Sequence, residues 1–284
     1  MLGILFDGIA YGSLLFLVSA GLSLTMGLLN FVHLAHGSFA MFGGYLSVWL
    51  STRWGIPFLA TLPIAFLAAG ALGAVFERFV YRRLYRASDL DQVLLTIGLV
   101  FTSIAVATYA WGPGQQSIEL PSALTGQLHL FGQDLGIYRL FLIALVVVIT
   151  AFLFWLVTHT RFGSQVRAAV DNRDVSAGLG IPVNRVFSVT FGLGTGLAGL
   201  GGALGIEVLG LDPTYPLKYL VYFLLVVAVG GAGAIAGTAV AAVGLGIADV
   251  AGKYYVPKAG AFIIYALMVL LLILFPSGLF GRRA

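Results

Sequence analysis

Two histidines, His33 and His36, lie three residues apart in the stretch GLLNFVHLAHGSFAMFGGY at 27–45, with Asn30 and Ser38 close by. Residues at that spacing share a helical face, so the imidazoles could start a metal site or serve as a general base. A metal site needs further ligands, and a base needs a nucleophile or acid to act with. The stretch holds no carboxylate, cysteine, lysine or arginine, so both chemistries are poorly supplied. Polar groups within an apolar run are costly unless they bond to neighbouring helices or line a wet passage. Both readings satisfy Asn30, His33, His36 and Ser38, and both stand.

A second pattern, Gly194-Thr195-Gly196-Leu197-Ala198-Gly199, has the GxGxxG spacing of a dinucleotide cradle. That cradle requires a strand before it, whereas this one sits inside an apolar run at 185–206, so the dinucleotide reading fails on context. Gly192 and Gly196, then Gly201 and Gly205, are spaced as small-residue faces for close helix contact. No GxxxxGK[ST] occurs anywhere, so the chain carries no ATP-binding loop of its own.

The long charged island of the second half is RFGSQVRAAVDNRDVSAGLGIPVNR at 161–185, with four arginines and two aspartates. Apolar runs at 138–157 and 186–206 flank it, each about long enough to cross a bilayer, so the island joins two spans. Its Gly-Leu-Gly-Ile-Pro ending at 178–182 predicts a short amphipathic helix closed by glycine and stopped by proline. Such a piece is shaped to dock on a soluble partner. The plainer reading is a loop whose arginines only fix topology.

The elements that position these groups are membrane helices. Of the 284 residues, 60% are hydrophobic and 9% charged, more apolar surface than one soluble core could bury. Apolar runs at roughly 4–28, 38–50, 56–76, 92–111, 138–158, 185–206, 219–247 and 259–275 predict a polytopic all-α bundle. The net charge of +4 comes with no basic and aromatic cluster for nucleic acid, and without cysteine there is no disulfide or thiolate chemistry. The start, MLGILFDGIAYG, lacks a basic region and cleavage site and reads as a retained span.

Basic residues orient the chain. Arg78, Arg82, Arg83 and Arg86 crowd 77–91, read as a loop; the positive-inside rule puts it, the island, and Arg282 and Arg283 in the cytoplasm. Residues 51–57, the 112–137 segment without lysine or arginine, and 248–258, read as a loop with interfacial tyrosines, then lie outside. The run from 219 is cut by GGAGAIAG at 230–237, leaving pieces too short to span comfortably. Paired interruptions in the two halves of a membrane protein point to a passage, so 27–45 and 229–238 are expected to meet near the bilayer midplane. Asn30, His33, His36 and Ser38 would supply polar wall, and Gly230, Gly231 and Gly233 close backbone approach.

Six separated pieces occur in one order: GLSLTMGLLNFVHLAHGSFAMFGGYL at 21–46, LLTIGL at 94–99, RAAVDNRDVSAGLGI at 167–181, the glycine-rich 191–205, VGGAGAIAGT at 229–238 and PSGLFGRR at 276–283. Together they resemble, over nearly the whole chain, the permease subunit of ATP-binding-cassette importers for branched-chain amino acids and relatives for urea, short amides and small acids. The resemblance implies a type II importer permease with broken helices, a single transmembrane domain over 1–284, set in the inner membrane. It implies separate ATPase subunits, a second homologous permease, an extracytoplasmic solute-binding protein and membrane lipid as partners, with no cofactor and no nucleic acid. The ATPase-coupling segment would then include Gly163, Arg167, Ala168, Ala169, Asp171, Ala177, Gly178, Gly180 and Ile181. The family's asparagine-phenylalanine-alanine-histidine-glycine stretch is split here, because Val-His-Leu separates Asn30-Phe31 from Ala35-His36-Gly37. A secondary transporter would instead need ion-coupling charges within its spans, and the spans hold almost none away from their ends.

Overall fold

The structure is a computed structural model that describes residues 1–29, 33–85, 87–130, 133–258, 260–274 and 278–279. Asn30, Arg86, Arg282 and Arg283 lie outside the described residues.

The first apolar run forms α1, Leu2–Leu29, and after the interruption the chain resumes as α2, His36–Trp54. Glycine decides how α1 packs. Gly21 faces Gly194 while Val18 and Leu17 face Gly201, so α1 runs antiparallel to the glycine-rich α9, Val183–Leu209. A Cβ on Gly194 would lie 2.6 Å from Gly21 O, so the two backbones touch as the small-residue spacing predicts. α2 packs Ala40 on Gly202 and His36 over Gly21, so it starts well inside the length of α1 and not at its end.

α3, Phe58–Phe76, continues without a break through a π-helical turn, Glu77–Tyr81, and α4, Arg82–Leu84. The loop expected at 77–91 is therefore shorter. The stretch has no glycine or proline to stop the helix, and Glu77 is paired internally with Arg82. α5, Asp89–Trp111, starts at Ser88, whose side chain accepts the Asp91 amide at 3.2 Å. The 112–137 segment contains an antiparallel hairpin, β1 (Gln127–Leu130) with β2 (Gln133–Gly136), leading into α6, Ile137–His159. The charged island forms α7, Arg161–Asp171, and α8, Arg173–Gly178.

After α9 come α10 (Tyr215–Gly230), α11 (Ile235–Tyr255) and α12 (Gly260–Leu274). The loop expected at 248–258 is corrected, because α11 continues to Tyr255. Asp249 is buried and its carboxylate meets the Lys253 ammonium one turn on at 2.5 Å, so the charges neutralise each other within the helix.

Two triplets of helices are related by inversion. α3 returns along α9, with Gly70 against Gly192, and α11 returns along α1, with Gly12 against Ala242 and Val243. In each triplet a long helix is followed by a break, a helix that starts part-way, and a third helix that packs on the long helix of the other triplet. α1 and α9, running antiparallel, exchange places in this scheme, which is an inverted-topology repeat. Asp7 of α1 pairs with Arg139 of α6, so α1 starts on the face that carries the hairpin. The opposite face carries Arg78, Arg82, Arg83, α7 and α8 and is cytoplasmic by the positive-inside rule. Among the described residues, six helices are long and apolar enough to cross a membrane, and α10 and part of α12 add shorter apolar helices.

Candidate functional site

On the cytoplasmic face two short helices stand where one was expected. Thr160 caps α7 by accepting the Gly163 amide at 3.2 Å, and Asn172 caps α8 by accepting the Val175 amide at 3.0 Å. Asn172 is extended and separates the two helices. The glycine stop is as the sequence predicts. Gly180 takes φ +84°, its amide donates to Ala177 O at 3.0 Å, and the Ile181 amide donates to Ser176 O at 3.0 Å before Pro182 ends the run. Gly163, Val166 and Ala169 are buried, and Val166 and Ala169 pack on Val183, Val186 and Phe187 of α9 with Ile181 at the margin. Ala168 is half-buried, while Arg167, Asp171, Ala177 and Gly178 are exposed. Arg167 donates to Val157 O and so caps α6. Sequence reasoning missed the outer surface of this pair. Val170, Val175 and Leu179 are 41%, 58% and 78% exposed, a set of large apolar side chains among charges on the water side.

At the second interruption α10 stops at Gly230, and Gly231 and Gly233 take φ +92° and +80°, conformations that favour glycine. The Gly233 amide donates to Ser23 O at 3.1 Å and Ser23 Oγ at 3.0 Å, and Thr238 Oγ1 donates to Ser23 Oγ at 3.1 Å. A Cβ on Gly27 would lie 2.5 Å from Gly233 Cα. The structure thus joins the 229–238 break to α1 at Ser23 and Gly27. The Leu279 amide closes the other side by donating to Val229 O at 2.6 Å.

His33 and His36 are buried. The His33 ring lies 4.8 Å from Tyr81, 5.1 Å from Phe191, 5.7 Å from His36 and 5.9 Å from Phe39, between centroids. Ser38 lies beyond this aromatic nest on the wall of a cavity of about 330 Å³ between α2, α3 and α5. Phe39, Leu72, Phe76, Leu99 and Ala107 make most of the wall apolar. Its polar feature is the Ser103 hydroxyl donating to Ser38 Oγ at 2.8 Å, and the rings of Tyr45 and Trp111, 4.8 Å apart, line it further out. Tyr81 lines it from the π-helical turn. Ser103 was legible only as one more hydroxyl in a span, since its partner is 65 residues away.

Glu77 is a carboxylate buried at the cytoplasmic end of α3. Arg82 donates to its two oxygens at 3.3 and 3.0 Å, the Tyr85 hydroxyl donates at 2.9 Å, and the Ser188 hydroxyl of α9 donates as well. Burial, and then the Glu77 carboxylate beside it, push the Tyr85 phenol well above its ordinary range, so it stays a proton donor. A buried charge needs this much pairing to be tolerated.

The connection between α1 and α2 with its inverted-repeat counterpart between α9 and α10, a small cavity within the bundle and an amphipathic helical pair on the arginine-rich face describe a multi-pass helical bundle with the features of a transport permease. The family described as branched-chain amino acid transport system / permease component matches residues 4–272, and the chain belongs to it. It is 26% identical to the high-affinity branched-chain amino acid transport system permease protein LivH of Salmonella typhimurium, over 98% of this chain and 94% of that protein. It is likewise 26% identical to the permease protein BraD of Pseudomonas aeruginosa, over 98% and 95% of the two chains. The probable branched-chain amino acid transport permease protein LivH of Methanocaldococcus jannaschii is 25% identical over 98% and 92%. No solved structure matches. The protein is a permease subunit of the inner membrane.

Proposed function

We propose that this subunit conducts branched aliphatic amino acids inward, driven by a separate ATPase that docks on α7 and α8. The match to branched-chain permeases along almost the full chain carries this reading. The missing ATP-binding loop requires an outside energy source. Exposed Val170, Val175 and Leu179 offer that partner an apolar patch bordered by charge, with Asp174 and Ala177 alongside. Gly163, Arg167, Ala168, Ala169, Asp171, Gly180 and Ile181 build and hold this pair, a coupling role that follows from their place in it, and Gly178 ends α8 with open space beside it.

The cavity at Ser38 and Ser103 suits a solute with a branched alkyl end, because its wall is mostly apolar with a few hydroxyl-bearing side chains, the Ser38–Ser103 pair among them. In this reading Ser38 borders the passage directly, and His33 and His36 shape its wall through Phe39 and Tyr81. The break at Gly230, Gly231 and Gly233 supplies the joint on which α10 moves. On the opposite face the hairpin and the 210–214 turn receive a soluble binding protein. A second permease subunit or lipid covers the outward apolar residues of α5 and α6, among them Phe101, Tyr109, Phe152 and Trp155.

The test is uptake into proteoliposomes holding this permease with its partner permease and ATPase, supplied with ATP and the binding protein. Leucine, isoleucine and valine should enter, and Ala107→Trp, which fills the cavity, should reduce their entry without detaching the ATPase. Entry of urea or short amides in place of these amino acids overturns the solute assignment. Unimpaired uptake in Ala107→Trp removes the cavity from the passage.

A further inference from the structure

The π-helical turn Glu77–Tyr81 stands between the cytoplasmic helical pair and the cavity and touches the surroundings of both. On the cytoplasmic side Arg173, the first residue of α8, lies over the rings of Tyr85 and Phe187, at 5.7 and 5.2 Å, and donates to Asn184 Oδ1 at 3.4 Å. Tyr85 and Arg82 both donate to Glu77, and Arg82 also reaches Asn184 O at 3.3 Å and Ser188 Oγ at 2.9 Å. A continuous set of contacts therefore runs from α8 to the buried carboxylate that opens the turn. At its other end Tyr81, fully buried, meets His33 and, 5.2 Å away, Phe191, and walls the cavity.

The turn departs from an α-helix in its hydrogen-bond register. The Arg82 amide donates to Glu77 O, five residues back, where an α-helix would use the fourth. Removing that extra residue from the turn moves the following helix by about 1.5 Å and about 100° relative to the preceding one. Two packed arrangements of one element are what a conformational signal requires. Glu77 holds the turn in this register, because four hydrogen bonds converge on it from Arg82 of α4, Tyr85 just after α4 and Ser188 of α9.

We propose that Glu77–Tyr81 transmits the movement of the ATPase-bound helical pair to the cavity wall, with Glu77 as its positioning residue and Tyr81 as the side chain it displaces. The proposal rests on the reading that the ATPase docks on α7 and α8.

The experiment uses the complete importer in proteoliposomes and compares Glu77→Gln, Arg173→Ala, the double variant and Leu179→Asp. Glu77→Gln and Arg173→Ala should keep the ATPase attached but lower the stimulation of hydrolysis by loaded binding protein about 5-fold or more, with uptake falling in parallel. Their effects should not add in the double variant, because they interrupt one route. The chain has no cysteine, so Thr102→Cys is a clean reporter on the cavity wall. ATP should change its labelling rate, and Glu77→Gln should abolish the change. Wild-type stimulation in Glu77→Gln, additive effects, or an unaltered ATP response at Thr102→Cys each overturn the proposal. Arg173 is on the surface, so normal stimulation in Arg173→Ala counts against it even where Glu77→Gln folds poorly. Leu179→Asp separates the two readings. Retained ATPase overturns the docking, whereas ATPase lost there with wild-type coupling in Glu77→Gln overturns transmission alone.

Discussion

Gly163→Ala adds a single methyl where α7 turns back under the end of α6. Its Cβ would lie 2.7 Å from Leu156 O, and the Val157 carbonyl is nearer still. The Val157 carbonyl carbon would be 2.5 Å away and an unstrained carbon contact begins at about 3.5 Å, so the two helices must separate there by about 1 Å or more. α7 holds to the bundle through a small patch, Val166 and Ala169 on Val183, Val186 and Phe187. It cannot absorb the shift locally, so the 11-residue helix moves as a body and carries α8 with it. Overpacking of this kind costs about 1–3 kcal/mol. If that energy tilts the pair away from its docking pose, the attached fraction changes by about 5- to 150-fold. The assay is the ratio of ATPase to tagged permease after purification in mild detergent, alongside permease yield in the membrane. The yield should hold, because the α1–α9 and α3–α9 seams are untouched. Gly178→Ala is the control, since nothing lies within 4 Å of its added carbon and its φ is ordinary. A wild-type ratio in Gly163→Ala, or an equal loss in Gly178→Ala, refutes the reasoning.

Gly233→Ala forces a side chain into the left-handed region at φ +80° and should destabilise the subunit by about 1–2 kcal/mol, seen as earlier thermal unfolding in detergent; unchanged unfolding would mean that the break adjusts freely. Lys253→Met leaves the buried Asp249 carboxylate without its ammonium and should cost about 3 kcal/mol, most of it recovered in the double variant with Asp249→Asn, as the same measurement would register. Equal losses in the single and double variants would show that the pair is not what holds α11 together there.

What the sequence made legible follows from what spans must do locally. Apolar runs placed the helices, arginines oriented them, and the glycine spacing in 191–205 announced backbone contact, which appears at Gly194 against Gly21 and Gly192 against Gly70. The cap at Gly180 was legible because an αL stop followed by proline is a local event. Charge misled the reading at both chain segments taken for loops. At 77–84 and 249–253 an acidic residue has a basic partner five or four positions on, and an internal pair lets the helix continue where isolated charges would end it.

The site was less legible because its key contacts join distant residues. Ser38 with Ser103, Glu77 with Ser188 and Gly233 with Ser23 are separated by 65, 111 and 210 positions, and no local pattern marks them. The histidines attracted attention as polar atoms in an apolar run, yet the structure surrounds His33 with rings and leaves the cavity wall to Ser38, two residues past His36. Glu77 looked like one charge among arginines. Inversion explains why one end of the molecule is richer than the other. α3 and α11 occupy equivalent places, each returning along the long helix of the opposite triplet, but α3 leaves that helix through a π-helical turn and a buried carboxylate at the cytoplasmic face. α11 ends on the other face with Asp249 and Lys253 in an ordinary α-helical pair. The repeat thus supplies the same scaffold twice, and the departure from regular helix occurs beside α7 and α8, the pair on which we propose that the ATPase docks.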